Sequence, residues 1–165
     1  MEFENEHIMR APIERVRKMY WDPAFLPRKY SELGLKDIEV VSQNKTDKES
    51  QVTCSFKMKP SIQLPKVAQK FIGGRDWLPV TQTDTWDMQT QTGRLDIVIH
   101  PLKPVTIRCD MKLEQHPEGA VNRMSWKVEC SVPLVGGQLA KILAEDIQSK
   151  FADDCAATNR ILETY

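Results

Sequence analysis

The stretch that decides the fold is GGQLAKILAEDIQSKFADDCAATNRILETY, residues 136–165. It contains no proline and, after Gly137, no glycine. Apolar or small side chains recur at Leu139, Ile142, Leu143, Ile147, Phe151, Cys155, Thr158, Ile161, Leu162 and Tyr165. That spacing is the stripe of a helix lying on an apolar surface. The other face carries Lys141, Glu145, Gln148, Asp153, Asn159 and Glu163. At ~1.5 Å per residue such a helix is about 40 Å long. It needs a broad sheet to lie across, and the residues before it read as that sheet.

Working backwards, residues 121–132 and 105–115 alternate as a hairpin. Residues 93–100 and 77–89 form another, and residues 49–59 and 36–43 a third, turning at 44–48. In residues 49–59, Val52, Cys54, Phe56 and Met58 alternate with polar side chains, so one face is core and the other solvent. Residues 3–9 read as a first strand. Ala11-Pro12 then opens a short helix with Ile13, Val16, Met19 and Tyr20 on its apolar face. A second short helix over about 23–33 ends at Gly34. Residues 60–74 interrupt the strands, with Val67, Ala68 and Phe71 marking a small amphipathic helix. Opposite charges suggest a register for the last hairpin. If paired positions sum to 237, Arg108 faces Glu129, Asp110 faces Lys127, and Glu114 faces Arg123. The order of strand, two short helices, six strands and long helix is an α+β fold.

The chain has 165 residues and is expected to be one domain over 1–165. Its hydrophobic fraction of 41% suits a globular core. Lys plus Arg and Asp plus Glu both number 23, giving zero formal net charge. No overall field favours nucleic acid, and that partner is not expected. No apolar run approaches the ~20 residues of a membrane span, and the acidic start is not a secretory signal. A cytoplasmic location and no integral membrane association are therefore expected. Cys54, Cys109, Cys130 and Cys155 are widely spaced and without a CxxC pair, and read as reduced, buried thiols. His7, His100 and His116 lack metal-ligand spacing. No cofactor, metal or nucleophile motif is expected.

The segment Glu6-His7-Ile8-Met9-Arg10-Ala11-Pro12-Ile13-Glu14-Arg15-Val16 resembles the opening strand and helix of the START and pollen-allergen-like (SRPBCC, helix-grip) superfamily. That superfamily also contains polyketide cyclases. Val132-Pro133-Leu134-Val135-Gly136-Gly137 running into Lys141-Ile142-Leu143 resembles its last strand, turn and gripping helix. Phe71-Ile72-Gly73-Gly74, Thr81-Gln82-Thr83-Asp84-Thr85-Trp86 and Lys150-Phe151-Ala152-Asp153-Asp154 resemble an uncharacterised bacterial family within it. The resemblance implies a curved antiparallel sheet of about seven strands wrapped around the long C-terminal helix. It also implies a cavity between them that takes lipids, sterols or polyketides in many members.

The inward phase supplies a candidate lining. The ligand-binding residues expected on this reading are Phe56, Met58, Phe71, Trp77, Asp84, Trp86, Ile97, Met111, Trp126, Leu143, Ile147 and Phe151. Met88, Ile99 and Met124 share the phase, and methionine suits an adaptable pocket. The alternative is a packed core with no ligand. Asp84, Gln82, His7 and Asn5 fall in the inward phase of their strands, unless a bulge or strand end turns them to solvent. Residues 60–74 read either as a gate closed by Phe71 and Val67 or as a fixed insertion.

The expected partner is a small apolar or amphipathic molecule, with Asp84, Gln82 or His7 orienting its polar end. Two other readings stand beside it. One is a cyclase or aromatase with Asp84 or His7 as general base. The other is an interaction module with a filled core and an exposed patch around Phe25-Leu26 and Tyr30.

Overall fold

The computed structural model describes residues 1–165. The elements are β1 (Glu2–Met9), α1 (Ile13–Tyr20), α2 (Phe25–Glu32), β2 (Lys36–Lys45), β3 (Glu49–Met58), α3 (Lys66–Ile72), β4 (Leu78–Asp87), β5 (Thr92–Ile99), β6 (Val105–His116), β7 (Gly119–Cys130) and α4 (Gly136–Leu162). Every element expected from the sequence is present, within a few residues at the ends. The seven strands form one antiparallel sheet in the order β1-β7-β6-β5-β4-β3-β2. Alternation of apolar and polar side chains leaves one sheet face wet and the other buried against the helices.

The last hairpin pairs two residues away from the register that charge matching favours. Val105 faces Cys130 and His116 faces Gly119, so paired positions sum to 235, not 237. Lys112 therefore faces Arg123, and Arg108 faces Lys127. The turn sets this register. Only Pro117 and Glu118 separate the strands, and the Glu118 N–H bonds His116 Nδ1 at 3.1 Å. Gly119, at φ +144°, passes so close to the chain at Met9 and Ala11 that a Cβ would lie 2.3 Å from the Met9 carbonyl oxygen. The like charges are neutralised by other neighbours. Asp96 on β5 bonds Arg108 at 3.0 Å. Arg123 bonds Glu6 on β1 and Glu114 along the diagonal. A two-residue shift keeps each side chain on its own face, so Met111, Met124 and Trp126 still point inward.

Helix α4 crosses the buried sheet face and is pinned at both ends. Near its start, Leu139, Ala140, Leu143 and Ala144 are buried; near its end, Ala157, Thr158, Ile161 and Leu162 are. Tyr165 donates to Asp22 at 2.6 Å, and Arg160 bonds Glu32 of α2 at 3.1 Å. Between these ends Ile147, Phe151 and Cys155 are only half-buried. The same apolar stripe meets packed side chains at its ends and open space in its middle.

Candidate functional site

The open space is a cavity of about 440 Å³ between the sheet and α4, with α2 along one side. Sixteen of its 25 lining residues are hydrophobic. The sheet contributes Phe56, Met58, Val80, Gln82, Leu95, Ile97, Ile99, Ile107, Met124 and Trp126. Trp77 stands just before β4, and α4 supplies Leu143, Ile147 and Phe151. Of the twelve residues expected from the sequence, these include Phe56, Met58, Trp77, Ile97, Trp126, Leu143, Ile147 and Phe151.

The other four lie elsewhere. Phe71 is 43% exposed, because α3 turns Ala68 and Ile72, four residues apart, into the core and leaves Phe71 on its outer flank. Trp86 is buried in the closed end of the fold. It packs on Tyr20 with ring centroids 5.1 Å apart and lies over Gly93, where a Cβ would come within 2.8 Å of the indole. Met111 is buried beside Asn122, whose amide approaches its sulfur at 3.8 Å. Asp84 is buried on the inner face of β4, next to the cavity wall but not part of it.

No bulge turns β4 outward. Its pairing with β3 and β5 is regular throughout, so Gln82 and Asp84 stay inside at 8% exposure each. The Gln82 amide donates to Asp84 Oδ1 at 2.9 Å. Burial pushes the Asp84 carboxyl up to about 6, although Gln82 and the nearby Lys29 ammonium pull it back. His7 is also buried. Its Nε2 bonds Asn159 Oδ1 of α4 at 2.9 Å, and burial lowers its pKa. His7 thus links β1 to α4 and takes no part in the cavity wall. Asn5 is half-buried, with its side-chain oxygen unpartnered.

Two charged clusters complete the wall, and neither stood out in the sequence. Lys29 of α2 bridges Asp154 of α4 at 3.0 Å. Burial opposes the lysine's charge, but Asp154 and Asp84 together hold its pKa above the ordinary value. Asp146, 3% exposed, accepts from the Ser61 N–H at 2.7 Å, the Ser61 hydroxyl at 2.6 Å and Lys150 Nζ at 2.7 Å. These bonds latch the loop over residues 60–74 to α4. With its own Leu64, Ala68 and Ile72 buried, that loop is a packed insertion in this structure. The i, i+4 spacing of Asp146 and Lys150 is the one sequence signal for the latch.

The third sequence reading loses its support here. Phe25, Leu26 and Tyr30 are 1%, 5% and 3% exposed, so no apolar patch forms around them. No helix is long and apolar enough to cross a membrane.

The family model described as "Protein of unknown function (DUF2505)" matches residues 4–162. The chain belongs to the DUF2505 family. A search of curated proteins finds no match. Among solved structures, this DUF2505 chain is similar to the protein TTHA0849 from Thermus thermophilus. The TM-score is 0.68 at 16% identity, over 99% of this chain and 98% of that one. It is similar to Ara h 8.0201, with a TM-score of 0.66 at 15% identity over 100% and 99% of the two chains. A third is the ZhuI aromatase/cyclase from Streptomyces sp. R1128, with a TM-score of 0.62 at 8% identity over 99% and 93%. At these identities the likeness establishes the fold alone, a curved antiparallel sheet gripping a long C-terminal helix.

Proposed function

We propose that residues 1–165 act as one domain that binds a small apolar or amphipathic molecule, lipid- or polyketide-like, between the sheet and α4. The observation that carries this reading is the cavity itself: about 440 Å³ of largely apolar space beneath the middle of the gripping helix. Close-packed interiors have few voids larger than a water molecule, and a concave apolar site with a few polar groups is the usual form of a ligand pocket. Phe56, Met58, Trp77, Ile97, Trp126, Leu143, Ile147 and Phe151 supply the apolar contact, worth ~25 cal/mol for each Å² removed from water. The four cysteines are free thiols, which favours a reducing, cytoplasmic setting.

Native mass spectrometry of gently purified protein, followed by organic extraction, tests the reading. A one-to-one adduct that extracts as an apolar organic molecule is expected. A bare mass, together with no binding of added aromatic probes, would contradict it.

A cyclase- or aromatase-type activity is the second reading. One feature favours it: Asp84, held near 6, would exist as a carboxylate base at neutral pH beside the cavity wall. His7, tied to Asn159, is the weaker candidate. Turnover of a poly-β-ketone analogue that is abolished by Asp84→Asn would establish that activity.

A further inference from the structure

The polar groups around the cavity divide into two sets. On the helix side the buried charges are already paired with each other. Lys29 bonds Asp154, and Asp146 bonds Lys150 and Ser61. Lys59 and Asp153, both exposed, stand at the rim. A charged ligand entering the cavity finds no buried counter-charge left over. On the sheet side Gln82 is the one amide, set among Val80, Leu95, Ile97, Ile99 and Ile107.

The orientation of that amide follows from its neighbour. An ionised carboxylate can only accept hydrogen bonds, so the Gln82 NH₂ group must face Asp84. The carbonyl oxygen then points away from Asp84. No protein donor bonds it, and unlike the Tyr30 hydroxyl and Trp126 Nε1 it is not walled in. It is therefore a fixed acceptor on an apolar wall.

Building on the reading that this cavity is a ligand site, we propose that Gln82 is its specificity-determining residue and Asp84 the positioning residue that turns the Gln82 carbonyl inward. The ligand class this selects is an uncharged, largely apolar molecule carrying a hydroxyl or N–H donor. An aromatic alcohol or a hydroxylated polycyclic ring satisfies the amide. The same skeleton with the donor methylated leaves the buried oxygen unpartnered, and sites built around a hydrogen bond reject such analogues.

Asp84 is the group whose protonation would undo this arrangement. The titratable groups whose charges act on it, or are acted on by it, are Lys29 and Tyr30 of α2, Tyr20 of α1, Cys54 of β3, Cys109 of β6 and Asp154 of α4. Once protonated it can donate, the Gln82 amide can reverse, and the cavity presents NH₂ in place of oxygen.

The test is calorimetric titration of the protein with 2-naphthol and with 2-methoxynaphthalene at pH 7.5. The expected result is about tenfold tighter binding of 2-naphthol, equivalent to ~1.4 kcal/mol. Gln82→Leu should abolish the preference, weakening 2-naphthol and relieving the penalty on the ether, with folding checked by thermal denaturation. Asp84→Asn should narrow the preference, and its residual preference should not change between pH 7.5 and pH 5, whereas that of the wild type should fall. Equal affinity of the wild type for both probes would overturn the role of Gln82 while leaving the cavity a binding site. Failure of both probes to bind would overturn the ligand-site reading on which it rests.

Discussion

The two ends of the sheet's inner face carry the same kinds of side chain and do different things with them. At the closed end Phe25, Trp86, Met111 and Asn122 are buried, Tyr20 packs on Phe25 and Trp86, and Gly93 lets the Trp86 indole lie against the strand. At the cavity end Phe56, Ile97, Met124 and Trp126 leave about 440 Å³ unfilled. Hydrophobicity does not distinguish them. What differs is what lies above: α1 and the start of α2 pack onto the closed end, and the middle of α4 spans the open one. Asp84 sits at the border. It faces Leu95 on β5, which faces Cys109, which faces Trp126, so one row of the sheet runs from the buried carboxylate to the cavity wall.

The sharpest way to break this comparison is to truncate one inward side chain at each end. Trp86→Ala should cost about 3–5 kcal/mol in urea denaturation, because a filled site cannot collapse around the hole. Ile97→Ala, at a side chain that already borders open space, should cost only about 1 kcal/mol. Equal losses would mean the two ends are packed alike.

Next in size is the border carboxylate. Burial raises the Asp84 pKa to about 6, above the ~4 of an unfolded chain. The folded state therefore holds the proton more tightly. Its stabilising contribution is complete below about pH 4 and is lost as the pH rises towards 6. Asp84→Asn, which cannot ionise, should be more stable than wild type by roughly 3 kcal/mol at most at pH 8, and no more stable at pH 4. A variant equally stabilised at both values would show that burial does not destabilise the charge.

The smallest expected effect belongs to the wet face of the same strands. Arg108→Ala removes the exposed pair with Asp96 and should leave the denaturation midpoint almost unchanged, and more so in high salt. A larger loss would show that the outer charge ladder, and not the turn at Gly119, fixes the β6–β7 register.

Much of this was legible in the residues. The stripe from Leu139 to Tyr165 gave the gripping helix, and strand alternation put Gln82 and Asp84 in the inward phase while leaving open a bulge that the regular pairing of β4 does not contain. Alternation also identified Trp86, Met111, Met124 and Trp126 as inward, but the phase of a strand cannot say which inward residues meet a helix and which meet a void. That depends on where α1 lands, a contact between distant parts of the chain. The hairpin register misled for a similar reason. Arg108 and Arg123 find partners on β5 and β1, so matching charges within one hairpin picks the wrong pairs. The Ser61 latch to Asp146 spans 85 residues, and only the neighbouring lysine at i+4 marks it locally.

The most direct measurement is the affinity of 2-methoxynaphthalene for the wild type and for Ile97→Trp, whose indole would fill the cavity from the sheet side. One-to-one binding to the wild type and at least a tenfold loss in the variant are expected, with the melting temperature unchanged or higher. Equal binding by both proteins would place the probe elsewhere and contradict the assignment of the cavity as the ligand site.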